Sequence, residues 1–167
     1  MESNKLLKSL GIGIIVFMAL NFILQLVSAA VDGNLTPWFE SLDNAYSILY
    51  ALFGYVVNTP TIAILNAGVP SIAPLEILAY VVFPIMAAVI AAIITGRFAE
   101  EKSTAFVAWF FVALISGIIL FIGVIIEIEG DFSVLSNMDY IMFLGFPMIV
   151  GFAYSFIAIF SSETSVF

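Results

Sequence analysis

Residues 106–126 read FVAWFFVALISGIILFIGVII, an apolar run without a single Asp, Glu, Lys or Arg. A helix needs about 20 such residues to cross the roughly 30 Å hydrocarbon core of a bilayer. Apolar residues follow one another here instead of alternating with polar ones, which favours a helix over a strand of a membrane barrel. The run therefore predicts a transmembrane helix, and the membrane becomes the solvent of the fold.

Three other runs have the same character and predict further spans at residues 10–31, 77–95 and 140–160. The first run follows Lys5 and Lys8 and ends in small residues, a pattern that cleaved signal peptides share. It exceeds the roughly 7 to 15 apolar residues of such a peptide, so we interpret it as a retained anchor. We expect one domain, residues 1–167, folded as an all-α integral membrane protein with a four-transmembrane-helix bundle.

The composition excludes several classes of function. Of the 167 residues, 63% are hydrophobic and 10% are charged, whereas soluble domains are about 25% charged. The chain has no Cys and no His, which removes the usual ligands of metals and haem and the usual catalytic nucleophile pairs. The net charge of -8 opposes binding to nucleic acid. We therefore expect no cofactor, no metal centre, no enzymatic activity and no nucleic-acid partner.

Residues 32–76 form the least regular part of the sequence. Residues 41–57 have the pattern of a short apolar helix, and Pro60, Pro70 and Pro74 interrupt the chain after it. We expect an extracytoplasmic interfacial or re-entrant helical segment between the first two spans. The alternative is a fifth span at residues 45–67, which would carry Asn58, Pro60 and Asn66 into the bilayer.

The basic residues favour four spans over five. Four spans place Lys5, Lys8, Arg97 and Lys102 on one side of the membrane, whereas a fifth span would divide them between the two sides. Lys and Arg that flank spans stay cytoplasmic. We therefore predict a multi-pass protein of the cell (plasma) membrane with cytoplasmic N- and C-termini. Its acidic outer face would attract cations or a basic partner.

Polar residues recur on one face of the first predicted span. Asn21, Gln25 and Ser28 are spaced four and three residues apart, so a helix brings them to the same side. Such a polar stripe either lines the path of a small solute or makes interhelical hydrogen bonds. We favour the hydrogen bonds.

Small residues also recur at helical spacing within the predicted spans. They allow helix backbones to approach closely, either inside the bundle or between two copies of the chain. We favour packing inside the bundle. The residues predicted for helix packing are Ala87, Ala88, Ala91, Ala92, Gly151 and Ser155.

Two features of the predicted outer face are candidate contact sites. Aromatic residues of the outer segment would form a docking surface, and they are Trp38, Phe39, Tyr46, Tyr50, Phe53 and Tyr55. The turn that carries Glu127, Glu129 and Asp131 is either a solvated acidic loop or a weak cation-binding site. We favour the solvated loop, because the spacing does not match an EF-hand.

The functional expectation follows largely by elimination. The predicted spans contain no ionisable Asp, Glu, Lys or Arg, which ion-coupled pumps usually require. We expect a non-catalytic structural or accessory subunit of a larger membrane-embedded assembly, whose partners are the lipid bilayer and other membrane-protein subunits or itself. The alternative is a small oligomeric channel or carrier for an uncharged or weakly polar solute.

Overall fold

The computed structural model describes residues 2–57 and 81–162, and every regular element within them is helical. The elements are α1 (Glu2–Val31), α2 (Leu35–Glu40), α3 (Ala45–Phe53), a 3-10 turn (Gly54–Val56), α4 (Phe83–Ala99), α5 (Lys102–Glu127), a 3-10 turn (Phe132–Val134), α6 (Asn137–Tyr140), a π-helical stretch (Ile141–Gly145) and α7 (Phe146–Ser162). The predicted all-α class is confirmed for this part of the chain.

Within the described residues, three helical stretches are long and apolar enough to cross a membrane, namely Asn4–Val31, Lys102–Glu127 and Asn137–Ser162. They contain the spans predicted at residues 10–31, 106–126 and 140–160. The span predicted at 77–95 begins outside the described residues, and its described part, α4, continues to Ala99, beyond the predicted end. The fifth-span alternative at 45–67 lies partly outside the described residues, and its described part is the shorter apolar stretch Ala45–Val56.

The core lies between α1, α4, α5 and α7. Trp109, Phe17 and Leu120 are among its largest fully buried side chains. The helices approach closely where glycine leaves room. Gly96 of α4 lies against the main chain of Ala158 in α7, and Gly117 of α5 lies against the Pro147 ring.

Pro147 explains the π-helical stretch that precedes α7. Proline has no N–H to donate, and in a regular helix its ring collides with the carbonyl four residues earlier, which is that of Phe143. The wider turn at Ile141–Gly145 ends just before Pro147 and gives the ring room. Gly117 then accommodates both the ring and the Phe143 carbonyl. Pro84 lies in the first turn of α4, and the two residues before that helix, Val81 and Val82, are likewise π-helical.

The two ends of the bundle carry opposite charge. At the basic end, Lys5 Nζ lies 2.9 Å from Glu100 and 3.6 Å from Glu101, so the start of α1 is joined to the short connection between α4 and α5. Lys8 lies over the ring of Phe98, 5.6 Å from its centroid. The acidic end carries Asp32, Glu40, Asp43, Glu127, Glu129, Asp131 and Asp139.

Glu100 ends α4 in the left-handed conformation, with φ of 64°. Glycine is the usual residue at such a position, because a side chain is strained there. The Glu100 carboxylate instead reaches Lys5, whose hydrogen bond and charge hold the pKa of Glu100 below its usual range. The residue thus ends one helix and contacts another.

Replacing Lys5 by methionine is expected to raise the pKa of Glu100 toward its usual range. The native pKa is lowered, so the stability from this pair is fully present above the unfolded-state pKa and is lost as the pH falls through the folded-state value. Carboxyl NMR titration measures the change. Arg97→Gln is the control, because within the described chain Glu100 forms its ion pair with Lys5, and the charges that lower its pKa are those of Lys5 and Lys8. An equal rise in both variants would exclude the specific pair.

Candidate functional site at the acidic end

The candidate site lies where residues 32–57, here called the outer arm, fold back on α1. The turn after α1 is closed by Gly33, with φ of 70°, and by the Asn34 N–H, which donates to the Ala29 carbonyl at 2.8 Å. The Asn44 side chain then caps α3 by accepting from the Ser47 N–H at 2.8 Å. Turn and cap chemistry therefore fix the direction of both short helices.

Two amides of α1 hold the outer arm. The Asn21 Oδ1 accepts from the Tyr55 N–H at 2.8 Å, and its Nδ2 donates to the Phe17 carbonyl at 2.8 Å. The Gln25 Nε2 donates to the carbonyls of Tyr50 at 3.0 Å and Ala51 at 3.3 Å. Asn21 is fully buried. Two of the three side chains of the predicted polar stripe thus bind main-chain groups at and just after the end of α3, where the Tyr50 carbonyl also accepts from the Gly54 N–H.

Two cavities lie beside these hydrogen bonds. The first, here called the Trp38 cavity, has a volume of about 410 Å³ and is lined by Gln25, Ser28, Ala29, Asp32, Asn34, Pro37, Trp38, Tyr50, Tyr55 and Pro84. The second has a volume of about 430 Å³ and is lined by Gln25, Trp38, Ser41, Leu42, Tyr46, Ser47, Tyr50, Ala51 and Met142. Gln25, Trp38 and Tyr50 belong to both linings, so the two cavities are neighbours.

Ser28, the third residue of the stripe, lines the Trp38 cavity together with Asp32, one helical turn further along the chain. The polar stripe predicted from the sequence did not include Asp32. The signal that would have included it is its position four residues after Ser28, which continues the spacing of the stripe.

Aromatic packing closes the bundle beneath the site. Phe17 lies one helical turn before Asn21, and its ring meets the Trp109 ring edge to face at 5.8 Å. Both side chains are fully buried. The Trp109 Nε1 is buried and has no hydrogen-bond partner within the described chain. The polar face of α1 thus meets an apolar layer directly below Asn21.

The predicted docking residues divide into two groups. Phe53 and Tyr55 are buried in the protein's own core, so a partner cannot contact them directly in this structure. Trp38 is half-buried against Phe22, at 5.5 Å between ring centroids, while Phe39 is 52% exposed. Tyr46 and Tyr50 are half-buried and line the cavities.

The predicted helix-packing residues are all buried within the bundle. Ala87, Ala88, Ala91 and Ala92 of α4 are 0% exposed, as is Ser155 of α7. Gly151 lies against Phe110 and Ala113 of α5. These small residues therefore contact helices of the same chain.

The acidic turn is exposed and is organised by its own residues. The Asp131 carboxylate accepts from the Ser133 hydroxyl at 2.6 Å and from the Ser133 N–H at 3.0 Å, and these hydrogen bonds hold the pKa of Asp131 below its usual range. Glu129 has a positive φ of 53°. Within residues 2–57 and 81–162, no three or more His, Cys, Asp or Glu side chains are grouped so that they could hold a metal ion. Glu127, Glu129 and Asp131 therefore do not form such a group in this structure.

Comparisons with protein-family models, with curated proteins and with solved structures find no match to this chain.

Proposed function

We propose that the chain is a non-catalytic accessory subunit of a membrane-embedded assembly and that it contacts its partner through the acidic end. The observation that carries this proposal is the exposure of large apolar side chains in the short elements that lie beyond the ends of the long helices. Phe39 is 52% exposed, Phe132 is 54% exposed and Val134 is 66% exposed. Apolar side chains in such positions are typical of surfaces that bind another protein.

The membrane arrangement that accompanies this proposal has four crossings. In it α1, α4, α5 and the stretch from α6 to α7 span the bilayer of the plasma membrane, and the basic end faces the cytoplasm with both termini. The clustering of Lys5 and Lys8 with Arg97 and Lys102 near one connection supports this direction. The outer arm then enters from the outside as an interfacial or re-entrant segment.

Two structural features favour the acidic end as the contact surface over a helix face. The small residues that would bring a second copy close are already occupied inside the bundle. The outer arm is braced by Asn21 and Gln25, so a partner would meet a preformed surface and little ordering entropy would be lost. The surrounding carboxylates favour a basic partner.

A photoreactive aromatic residue placed at Phe39 is expected to form a discrete protein adduct in native membranes. Ile15 is the matched control, because its side chain is 67% exposed in the middle of α1, where lipid would cover it. Mass spectrometry of the adducts distinguishes protein from lipid. Lipid adducts alone at both positions, together with a stable lone monomer after mild detergent extraction, would exclude the accessory role.

The second candidate is a small oligomeric channel or carrier for an uncharged or weakly polar solute. The two neighbouring cavities around Gln25 favour it, because they open a polar recess at one end of the bundle. The apolar layer of Phe17 and Trp109 beneath Asn21 argues against a channel or carrier. Solute flux into liposomes that contain the chain alone, lost in Gln25→Leu, would favour transport over the accessory role.

A further inference from the structure

We propose that the Trp38 cavity binds a small organic ammonium group, carried either by a lipid head group or by a free solute. This inference concerns a ligand and does not depend on the accessory role. The cavity volume of about 410 Å³ falls within the range of small-molecule sites, roughly 300 to 1,000 Å³. Its position, at the turn where the apolar α1 gives way to Asp32, suits a ligand with one polar end.

The charge of the lining selects a cation. Asp32 lines the cavity, and within the described chain its carboxylate has no hydrogen-bond or ion-pair partner. Among the lining residues that the structure describes there is no Lys or Arg. Helix α1 ends directly before Asp32, and the C-terminus of a helix carries partial negative charge. Both the carboxylate and the helix C-terminus would repel an anion, and no described basic residue of the lining would offset that repulsion.

The aromatic walls favour an organic cation over a metal ion. Trp38, Tyr50 and Tyr55 line the cavity, and aromatic faces attract ammonium groups by cation–π interaction, with Trp the most effective. Calcium instead requires six to eight oxygen ligands, and magnesium requires octahedral geometry. Asp32 is the one carboxylate in the described part of this lining, which is too few for either ion.

The walls are held in place before a ligand arrives. The Trp38 ring packs edge to face against Phe22 at 5.5 Å and against Phe39 at 5.1 Å. The main chain of Tyr55 is fixed by Asn21, and that of Tyr50 by Gln25. A preorganised aromatic wall loses little entropy on binding, which favours measurable affinity for a small ligand.

The test uses the full chain in nanodiscs and measures choline binding by saturation-transfer NMR. In nanodiscs of phosphatidylglycerol alone, the site would be open to added choline, and Asp32→Asn and Trp38→Leu are each expected to weaken binding by about tenfold or more. The controls are Glu129→Gln and Tyr140→Leu, an exposed carboxylate and an exposed aromatic residue of the same end that lie outside the described cavity lining. Both controls should bind choline as the native chain does.

The second arm identifies the source of the ammonium group. After extraction from phosphatidylcholine nanodiscs, native mass spectrometry is expected to show a retained phosphatidylcholine that is lost in Asp32→Asn, if the group belongs to a lipid. Choline binding without a retained lipid indicates a free solute. The proposal would be overturned if neither choline binding nor a retained phosphatidylcholine were detected. It would also be overturned if Asp32→Asn and Glu129→Gln weakened choline binding equally. Unchanged helical circular dichroism in each variant excludes misfolding as the cause.

Discussion

Replacing Gly96 by alanine is expected to destabilise the bundle by about 3 kcal/mol, the largest effect that we expect from a single methyl group in this chain. A Cβ atom at this position would collide with the carbonyl oxygen, carbonyl carbon and Cα of Ala158. These are main-chain atoms of α7, so no side chain can rotate out of the way. The helices α4 and α7 would have to separate along their contact.

Gly11→Ala is the matched control for this variant. Gly11 also lies inside a helix, α1, but a Cβ atom there would meet nothing within 4 Å. Alanine is the better helix former, so this variant is expected to be neutral or slightly stabilised. Unfolding followed by circular dichroism during titration with a denaturing detergent measures both. Equal stability of Gly96→Ala and Gly11→Ala would show that α4 and α7 are not in contact at Gly96.

Replacing Asn21 by leucine is expected to cost about 2 to 3 kcal/mol and to loosen the outer arm. The Asn21 amide is fully buried and bridges the Phe17 carbonyl to the Tyr55 N–H. Leucine restores neither hydrogen bond, and it leaves the Tyr55 N–H buried without its partner. Hydrogen exchange at the Tyr55 amide should accelerate by roughly tenfold or more, in addition to the loss of stability.

Ser116→Ala is the control for the removal of a buried polar group. Ser116 is also 0% exposed, but its hydroxyl donates at 2.7 Å to the Val112 carbonyl of its own helix. Its removal leaves no N–H unpaired, so a loss of about 0.6 kcal/mol or less is expected. Equal stability losses in the two variants, with unchanged exchange at Tyr55, would contradict a bracing role for Asn21.

The helical elements were largely predictable from the sequence because long apolar runs have few alternatives in lipid. The end of α4 was not predictable in this way, since the predicted span ended at residue 95 and the helix continues past Arg97 to Ala99. Long basic side chains extend toward water from a helix that is otherwise apolar, so a charged residue does not mark a helix end. Composition therefore locates a crossing more precisely than it locates the ends of the helix.

The candidate site was predictable only on the side of α1. The spacing of Asn21 and Gln25 predicts that they share a face, but their main-chain partners depend on where the outer arm returns to the bundle. The same limit applies to Phe53 and Tyr55, which were predicted to be available for docking and lie in the core. In a chain this apolar, periodicity does not distinguish the inner face of a short helix from its outer face.

The apolar layer of Phe17 and Trp109 has a consequence for electrical behaviour. A cation bound in the Trp38 cavity, above that layer, would lie near one edge of the hydrocarbon core. It would therefore experience only a small part of the transmembrane voltage. Moving one elementary charge through the full potential involves about 2.3 kcal/mol per 100 mV, and this site would sample a small part of that energy. Its occupancy would follow ionic strength and lipid surface charge, while polarisation of the membrane would leave it nearly unchanged.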